Sequence, residues 1–366
     1  MKPFIPHILP LKNINWASYV ELIGKANLEL GNLGGTLKGI VNPAVLLSPL
    51  TLREAVLSSK IEGTQATLQD VLFYEASPDE NNPKRTEIQE IVNYRKTLAA
   101  AVSGIKEKPM HLNMLKILHD ILMDSVRGQN MQPGEFRRDQ NWIGKPGCTI
   151  DQAYFVPPDP ATMIIALDNW EKYWHFQDRD FLVQLAIIHA QFEIIHPFRD
   201  GNGRIGRVLI PIFLTDKGLL DEPVFYLSEY MEAHREEYYG GLRSISDTGD
   251  WDNWFRFFLS AVGHQAVAIR HKAEKIIILY ESMKREVYDI GSTYAIPALD
   301  TIFTMPIFSS PEFERYSSIP KASANRLLKQ LKDKGVITIL QEGHGRRPNT
   351  FIFNKLITIT ESPLEM

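Results

Sequence analysis

Twelve residues near the middle of the sequence, His196 to Arg207, read HPFRDGNGRIGR and limit what the surrounding chain can fold into more than any other stretch. They hold one imidazole, one carboxylate, two glycines flanking an asparagine, and two arginines three apart. The segment before them places Phe181, Leu185, Ile188, Phe192 and Ile195 on one stripe of a helix, so a core helix is expected to run up to His196. Pro197 cannot easily continue it, and Gly201 and Gly203 permit a tight turn in which backbone N–H groups converge. A second helix, with Ile205, Leu209 and Ile212 inward, begins at that turn. Its unpaired N–H groups and positive dipole end suit a phosphate or another anion. Arg204 and Arg207 share a face of this helix, aimed at whatever the turn holds. Asp200 can supply oxygen to Mg²⁺, the usual companion of a di- or triphosphate.

Two familiar phosphate motifs are excluded: no Gly-Lys-Ser/Thr follows, and the Gly-x-Gly does not follow a strand. The whole string resembles, at every defined position, the signature His-x-Phe-x-Asp/Glu-Gly-Asn-Gly-Arg-x-x-Arg of Fic-domain proteins, most of which are protein adenylyltransferases. That resemblance implies that His196 is the general base for a target hydroxyl and that Asp200 holds Mg²⁺ on the α and β phosphates of ATP. It implies an anion hole at Gly201, Asn202 and Gly203, with Arg204 on the β phosphate, Arg207 on the γ phosphate, and Ile205 and Gly206 completing the ATP-binding run. The chemistry agrees independently: attack on an α-phosphorus needs a base near neutral pKa and positive groups on the phosphates.

Upstream, Ser58-Ser59-Lys60-Ile61-Glu62-Gly63 by itself is an exposed helix end. Beside the signature, it resembles the family's inhibitory pattern Ser/Thr-x-x-x-Glu-Gly/Asn in the subclass with an N-terminal inhibitory helix. The implied device pairs Glu62 with Arg207, with Ser58 part of the same pattern, and misaligns the α phosphate. Ser48-Pro49 and Thr51-x-x-Glu54 predict that this helix starts near Ser48 and ends at Gly63. The glycine-dense GNLGGTLKG, 31–39, is expected to be a connection after a helix at Trp16–Leu30.

Past helices at 87–103 and 112–124, Asn141–Gly144 and Ala153–Val156 can pair as a hairpin around Lys145-Pro146-Gly147. A plain surface hairpin is one reading. The PGEFR lead-in and Val-Pro-Pro exit resemble the Fic flap, which holds a target segment by strand addition and would put Trp142, Ile143 and Gly144 near the nucleotide. His189 and Glu193, four apart, have a spacing compatible with metal, but no third ligand accompanies them, and His189 reads as a histidine of the core or one that supports the site from behind. Pro211 is expected to bend or interrupt the helix after the motif. A further helix at Tyr226–Tyr239 carries Tyr238 and Tyr239, which the resemblance makes candidates for the adenine pocket; filling a gap between helices is the other reading.

With 366 residues, 44% of them hydrophobic and 23% charged, the chain is long enough for two or three domains of ordinary composition. A net charge of −4 argues against wholesale binding to nucleic acid or membrane. Cys148 is the sole cysteine, so neither an intrachain disulfide nor a thiolate cluster is available. The N-terminus lacks a signal-peptide pattern, and no apolar run approaches the roughly 18 residues of a membrane span, so a cytoplasmic protein is expected.

Beyond a long helix at 264–290, KASANRLLKQLKDKG puts Ala324, Leu327, Leu328 and Leu331 on one face and Lys321, Asn325, Lys329 and Lys332 on the other. The alternating tail turns at 343–348, and the whole resembles a winged helix-turn-helix, a domain that docks on DNA, on protein or on a second copy. From Thr293 onward nine Lys/Arg stand against seven Asp/Glu.

The expected fold is mainly α, with a Fic-type helical core, a short β-hairpin flap and a C-terminal winged-helix domain. Its expected divisions are an N-terminal helical region at 1–105 with the inhibitory helix at about 48–63, a catalytic core at 106–263, a connector at 264–291 and the winged domain at 292–366. The implied activity transfers AMP from ATP to a Ser, Thr or Tyr hydroxyl of a protein, itself included, and releases pyrophosphate. Two alternatives stand beside it: a DNA-binding regulator whose Fic part senses nucleotide, and removal of AMP by water. Homodimers are compatible with both the inhibitory helix and the winged domain.

Overall fold

The computed structural model describes residues 2–38, 42–126, 131–145, 147–345 and 348–363. Five helices come first: α1 (Val20–Lys38), α2 (Ala44–Ile61), α3 (Leu68–Ala76), α4 (Arg85–Glu107) and α5 (Leu112–Leu122). Six follow the flap region: α6 (Pro160–His175), α7 (Phe181–Ile195), α8 (Asn202–Asp216), α9 (Ser228–Ala233), α10 (Arg235–Thr248) and α11 (Asp252–Tyr288). The chain then forms α12 (Ala295–Thr304), β1 (Ile307–Ser309), α13 (Ser310–Ser317), α14 (Lys321–Asp333), β2 (Thr338–Gln341), β3 (Thr350–Ile352) and α15 (Asn354–Glu361).

These elements divide into two compact units. The first comprises 1–34, 57–63 and 93–267; the second comprises 35–56, 64–92 and 268–366. In the first unit α7 is the central rod, packed on α6 and α8. Trp170, Trp174 and Trp254 are wholly buried there, and each indole N–H is satisfied: Trp170 by Ile188 O, Trp254 by Ala186 O and Trp174 by Asp216. Burying such large rings with their polar atoms paired removes much apolar surface from water at little polar cost.

In the second unit β3 lies between β1 and β2, antiparallel to both, with Ile352 opposite Ile307 on one side and Thr338 on the other. Helix α3 packs on β1, and α12, α13 and α14 pack on one another. Phe303, Phe308, Phe313, Leu327 and Phe353 form the core beneath the sheet.

Several expected boundaries move. The glycine-dense 31–39 is helical as far as Lys38, because α1 buries Ala26, Leu30 and Leu33 on one stripe. That burial outweighs the roughly 1 kcal/mol that each helical glycine costs. Helix α2 starts at Ala44, with Pro49 inside it, and Ser48 does not cap it; its hydroxyl donates instead to Thr304 O at 2.7 Å. Helix α8 likewise runs through Pro211 to Asp216. The expected helix at 226–239 is split at His234 into α9 and α10, whereas the segments on either side of Gly263 form one helix, α11. The flap hairpin contracts to a single bridge, Ile143 to Phe155. Pro146 of its turn, and Arg346 and Arg347 of the 343–348 turn, lie outside the described residues.

Candidate active site

Helix α7 starts at Asp180, whose carboxylate accepts the N–H groups of Leu182 and Val183, both at 2.9 Å. Of its residues only Phe181 and Glu193 are less than fully buried. It stops at His196, which takes a left-handed conformation, φ 50° and ψ 60°. For a residue with a Cβ this costs on the order of 1–2 kcal/mol, a strain of the sort found where a side chain must be aimed.

Arg137 holds that bend. Its buried guanidinium donates to His196 O at 2.9 Å, to Asp139 O at 3.1 Å, and to Ile195 O and Pro158 O. A fixed cation on the last carbonyls of α7 satisfies orphan acceptors and the negative end of the dipole. The His196 ring has its Nδ1 3.3 Å from Glu193 O. A carbonyl only accepts, so Nδ1 carries the proton and Nε2 keeps its lone pair. Burial pulls the His196 pKa down to about 4, so the ring is neutral at pH 7 but a weaker base than the near-neutral one expected from the sequence.

The turn after His196 is tied by Asn202, whose side chain accepts from Phe198 N–H and donates to Phe198 O, both at 2.9 Å. Gly201 sits at φ 77°, a conformation that favours glycine. His119, from α5, braces the turn from below. It stacks flat on Phe198 with centroids 3.9 Å apart, accepts the Gly134 N–H at Nδ1 and donates from Nε2 to Asp200 O at 3.0 Å. Burial lowers its pKa to about 4, which keeps it in the neutral form those two bonds require. The Asp200 side chain is left exposed at the mouth of the turn.

Helix α8 then carries Arg204 and Arg207, both buried. Arg207 donates from Nε to Ser58 Oγ at 2.8 Å, and from its Nη2 to Ser58 O at 2.9 Å and to Glu62 Oε1 at 2.7 Å. Glu62 lies so close over α8 that a Cβ on Gly203 would overlap its carboxylate. Burial pushes the Glu62 carboxyl up, but Arg207, with Arg204 and His196, more than offsets it, and the group stays ionised below its ordinary range. The end of α2 is fastened by Arg235, which donates to Ile61 O at 2.7 Å, and by Lys60, 3.4 Å from Glu232.

Beside this cluster opens a cavity of about 680 Å³, lined among others by Ile143, Gly144, Tyr154, Glu193, Arg235 and Tyr239. The two tyrosines separate: Tyr239 faces the cavity, while Tyr238 is buried and donates its hydroxyl to His189 Nε2 at 3.0 Å. His189 Nδ1 in turn donates to Gly206 O at 3.1 Å, so both ring nitrogens are engaged within the core. Of the flap residues, Ile143 and Gly144 reach the cavity, and Trp142 turns its indole N–H to Cys148 O instead. Glu193, beneath the cavity, is raised by burial to about 7.

His196, Asp200, Gly201, Asn202, Gly203, Arg204, Ile205, Gly206 and Arg207 thus lie on one turn and helix, with Ser58 and Glu62 against Arg207. The sequence does not point to His119 or Arg235; it touches Arg137 only through the PGEFR string and Glu193 only through its spacing from His189, read there for metal. Among the described residues no group of three or more His, Cys, Asp or Glu could hold a metal by itself. A single carboxylate at Asp200 beside an anion-binding helix end does fit Mg²⁺ held mainly by substrate phosphates. No helix among the described residues is long and apolar enough to cross a membrane.

Residues 109–214 match the family described as Fic/DOC family, and residues 20–103 match Fic/DOC family N-terminal. Over 205 residues the chain is 27% identical to a probable protein adenylyltransferase of Aquifex aeolicus, covering 54% of this chain and 58% of that one. Over 173 residues it is 31% identical to the protein adenylyltransferase Fic of Aedes aegypti, covering 44% of this chain and 30% of that one. The chain therefore spans less than two thirds of the length of these curated relatives. Among solved structures, a Fic family protein from Desulfovibrio desulfuricans aligns with a TM-score of 0.59 at 19% identity, over 96% of this chain and 98% of that one. Fic-1 from C. elegans aligns with a TM-score of 0.53 at 17% identity, over 69% and 73%. At such identities the likeness is one of fold.

Proposed function

Because the chain carries a Fic/DOC domain, we propose that it transfers AMP from ATP to a Ser, Thr or Tyr hydroxyl of a protein, and that Glu62 holds this activity in check. The observation that carries the reading is the meeting, on one helix end, of a neutral His196 and an Arg207 already occupied by a carboxylate.

The hydroxyl oxygen would bond to the α-phosphorus as its proton passes to His196 Nε2. The bond from that phosphorus to the oxygen bridging the α and β phosphates would break, and pyrophosphate would leave. Backbone N–H groups of Gly201, Asn202 and Gly203, with Arg204 and Arg207, would take up the charge on the phosphates. Mg²⁺, held through Asp200, would neutralise the polyphosphate when bound. Ile143, Gly144 and Tyr239 would border the base, and the exposed flap at Trp142 and Ile143 would receive the target segment.

With Glu62 in place, Arg207 cannot also orient a γ phosphate. A hydrogen bond to a charged group is worth about 1.5–3 kcal/mol, or roughly 10- to 150-fold in the open population. The Glu62 side chain is 37% exposed, which puts the expectation in the lower half of that range. Incubated with ATP, Glu62→Gly should acquire an AMP adduct detectable by mass spectrometry at ten or more times the wild-type rate, and Glu62→Gly/His196→Ala should acquire none. An adduct independent of His196 would sink the reading.

The order α12, β1, α13, α14, β2, β3, with its three-stranded antiparallel sheet, supports reading residues 292–366 as a winged helix-turn-helix domain. The hairpin β2–β3 would be its wing and α14 its recognition helix.

A further inference from the structure

Among the polar side chains that line the cavity, Glu193 has a use that the fold does not supply. Arg235, Glu236 and Arg243 are exposed and stand at the mouth, where water serves them. Ser246 donates its hydroxyl to Arg243 O at 3.0 Å. The inner wall is made by two α7 residues, Ile194 and Glu193. Glu193 Oε1 is buried without a hydrogen-bond partner, and among the described residues its carboxyl enters no ion pair.

The packing makes room for this group. Gly206 of α8 faces it, and a Cβ there would overlap the carboxyl. A leucine at 193 would meet the same packing with no polar atom to bury, whereas an unpaired buried carboxyl costs free energy. Folding therefore gives no reason for the carboxyl, and a ligand in the cavity does.

The protonation state decides what the group can bind. Burial raises it to about 7, Arg207 of α8 opposes that, and Glu62 adds to it. Its other neighbours, Tyr238 and Tyr239 of α10 and His196 one turn along α7, are kept neutral by burial. A neutral carboxyl has an O–H to donate, which an ionised one lacks. Much of the remaining lining is apolar or aromatic, Ile143 and Phe155 from the flap and Tyr239 and Leu242 from α10, and suits a flat heteroaromatic ring. Adenine offers an acceptor at its ring nitrogen N1, where guanine carries an N–H.

We propose that Glu193 selects the nucleobase, donating a hydrogen bond from its carboxyl to N1 of adenine, where guanine would oppose it with a second donor. This rests on reading the cavity as part of the nucleotide site. The test is calorimetric titration of ADP and of GDP, with Mg²⁺ present, into the full chain and its Glu193 variants. Neither nucleotide has a γ phosphate, so Glu62 on Arg207 does not stand in the way.

At pH 6.5, Glu193→Leu should bind ADP roughly tenfold more weakly than wild type and GDP no more weakly, while Glu193→Gln, which keeps a donor, should bind ADP as wild type does. From pH 6.5 to 8.5 wild type should lose about fivefold or more in ADP affinity relative to Glu193→Gln, because the ionised group has nothing to donate. Titration of ADP itself is common to both proteins. Glu193→Leu should melt no lower than wild type, which separates lost recognition from lost fold, and the comparison with Glu193→Gln stands without it. Equal ADP affinity in wild type and Glu193→Leu, or parallel pH profiles for wild type and Glu193→Gln, would overturn the proposal and leave the transferase reading standing, since AMP adducts on Glu62→Gly carry that one. Binding of neither nucleotide would overturn the proposal together with the nucleotide site it rests on.

Discussion

Three imidazoles, His119 and His189 in the core and His196 half-buried, have their pKa values lowered by desolvation to about 4, 3 and 4. Between those values and 6.5 the unfolded chain holds protons that the folded chain does not, so each makes stability fall as pH drops through that window. Glu193, raised by burial to about 7, works the other way, because between 4.5 and 7 the folded chain holds its extra proton. Three groups against one leave a net uptake of roughly two protons on unfolding near pH 5.5. The thermal midpoint should therefore rise from pH 5 to pH 6.5; a flat or falling midpoint would contradict the protonation states assigned to the site. His196 and Arg207 are legible in the sequence because they share one contiguous string, and Glu62 is legible only through a resemblance. His119 and Arg137 leave no comparable trace: their partners, Asp200 O and His196 O, are main-chain atoms that any residue type would supply.

At the scale of elements, the crossing of α7 over α8 depends on Gly206. A Cβ there would overlap the Glu193 carboxylate and come within 3.4 Å of the Phe192 ring. Helix propensity alone predicts that Gly206→Ala stabilises by about 1 kcal/mol, whereas overpacking a filled core typically costs about 1–3 kcal/mol. We expect the overlap to dominate and the thermal midpoint to fall; a rise would mean that the helices have room to separate. The same competition explains where local sequence signals mislead. Glycines in α1 and prolines in α2 and α8 are breakers by propensity, yet each lies within a helix whose packing decides the outcome. Ser48 looks like a cap, but its hydroxyl is used on Thr304 O, a partner 256 residues away.

For the molecule as a whole, contiguous stretches of sequence do not correspond to compact units. Helix α3 packs on β1, more than 200 residues later, and buries Leu68, Val71, Leu72 and Ala76. Removing residues 292–366 should uncover that face, and limited proteolysis should then cut within 64–92 at least several-fold faster than in the full chain. Unchanged cleavage would show that α3 is held without the sheet. Periodicity reports which face of an element is buried and is silent on what buries it, which is why the helices were legible and their partners were not. The central claim remains the gating of a triphosphate site by Glu62, and it is tested most directly by following label from α- and γ-labelled ATP into wild-type and Glu62→Gly protein side by side. The α label should enter Glu62→Gly at least ten times faster than wild type and the γ label neither protein; equal α incorporation in both, or any incorporation of γ label, would contradict it.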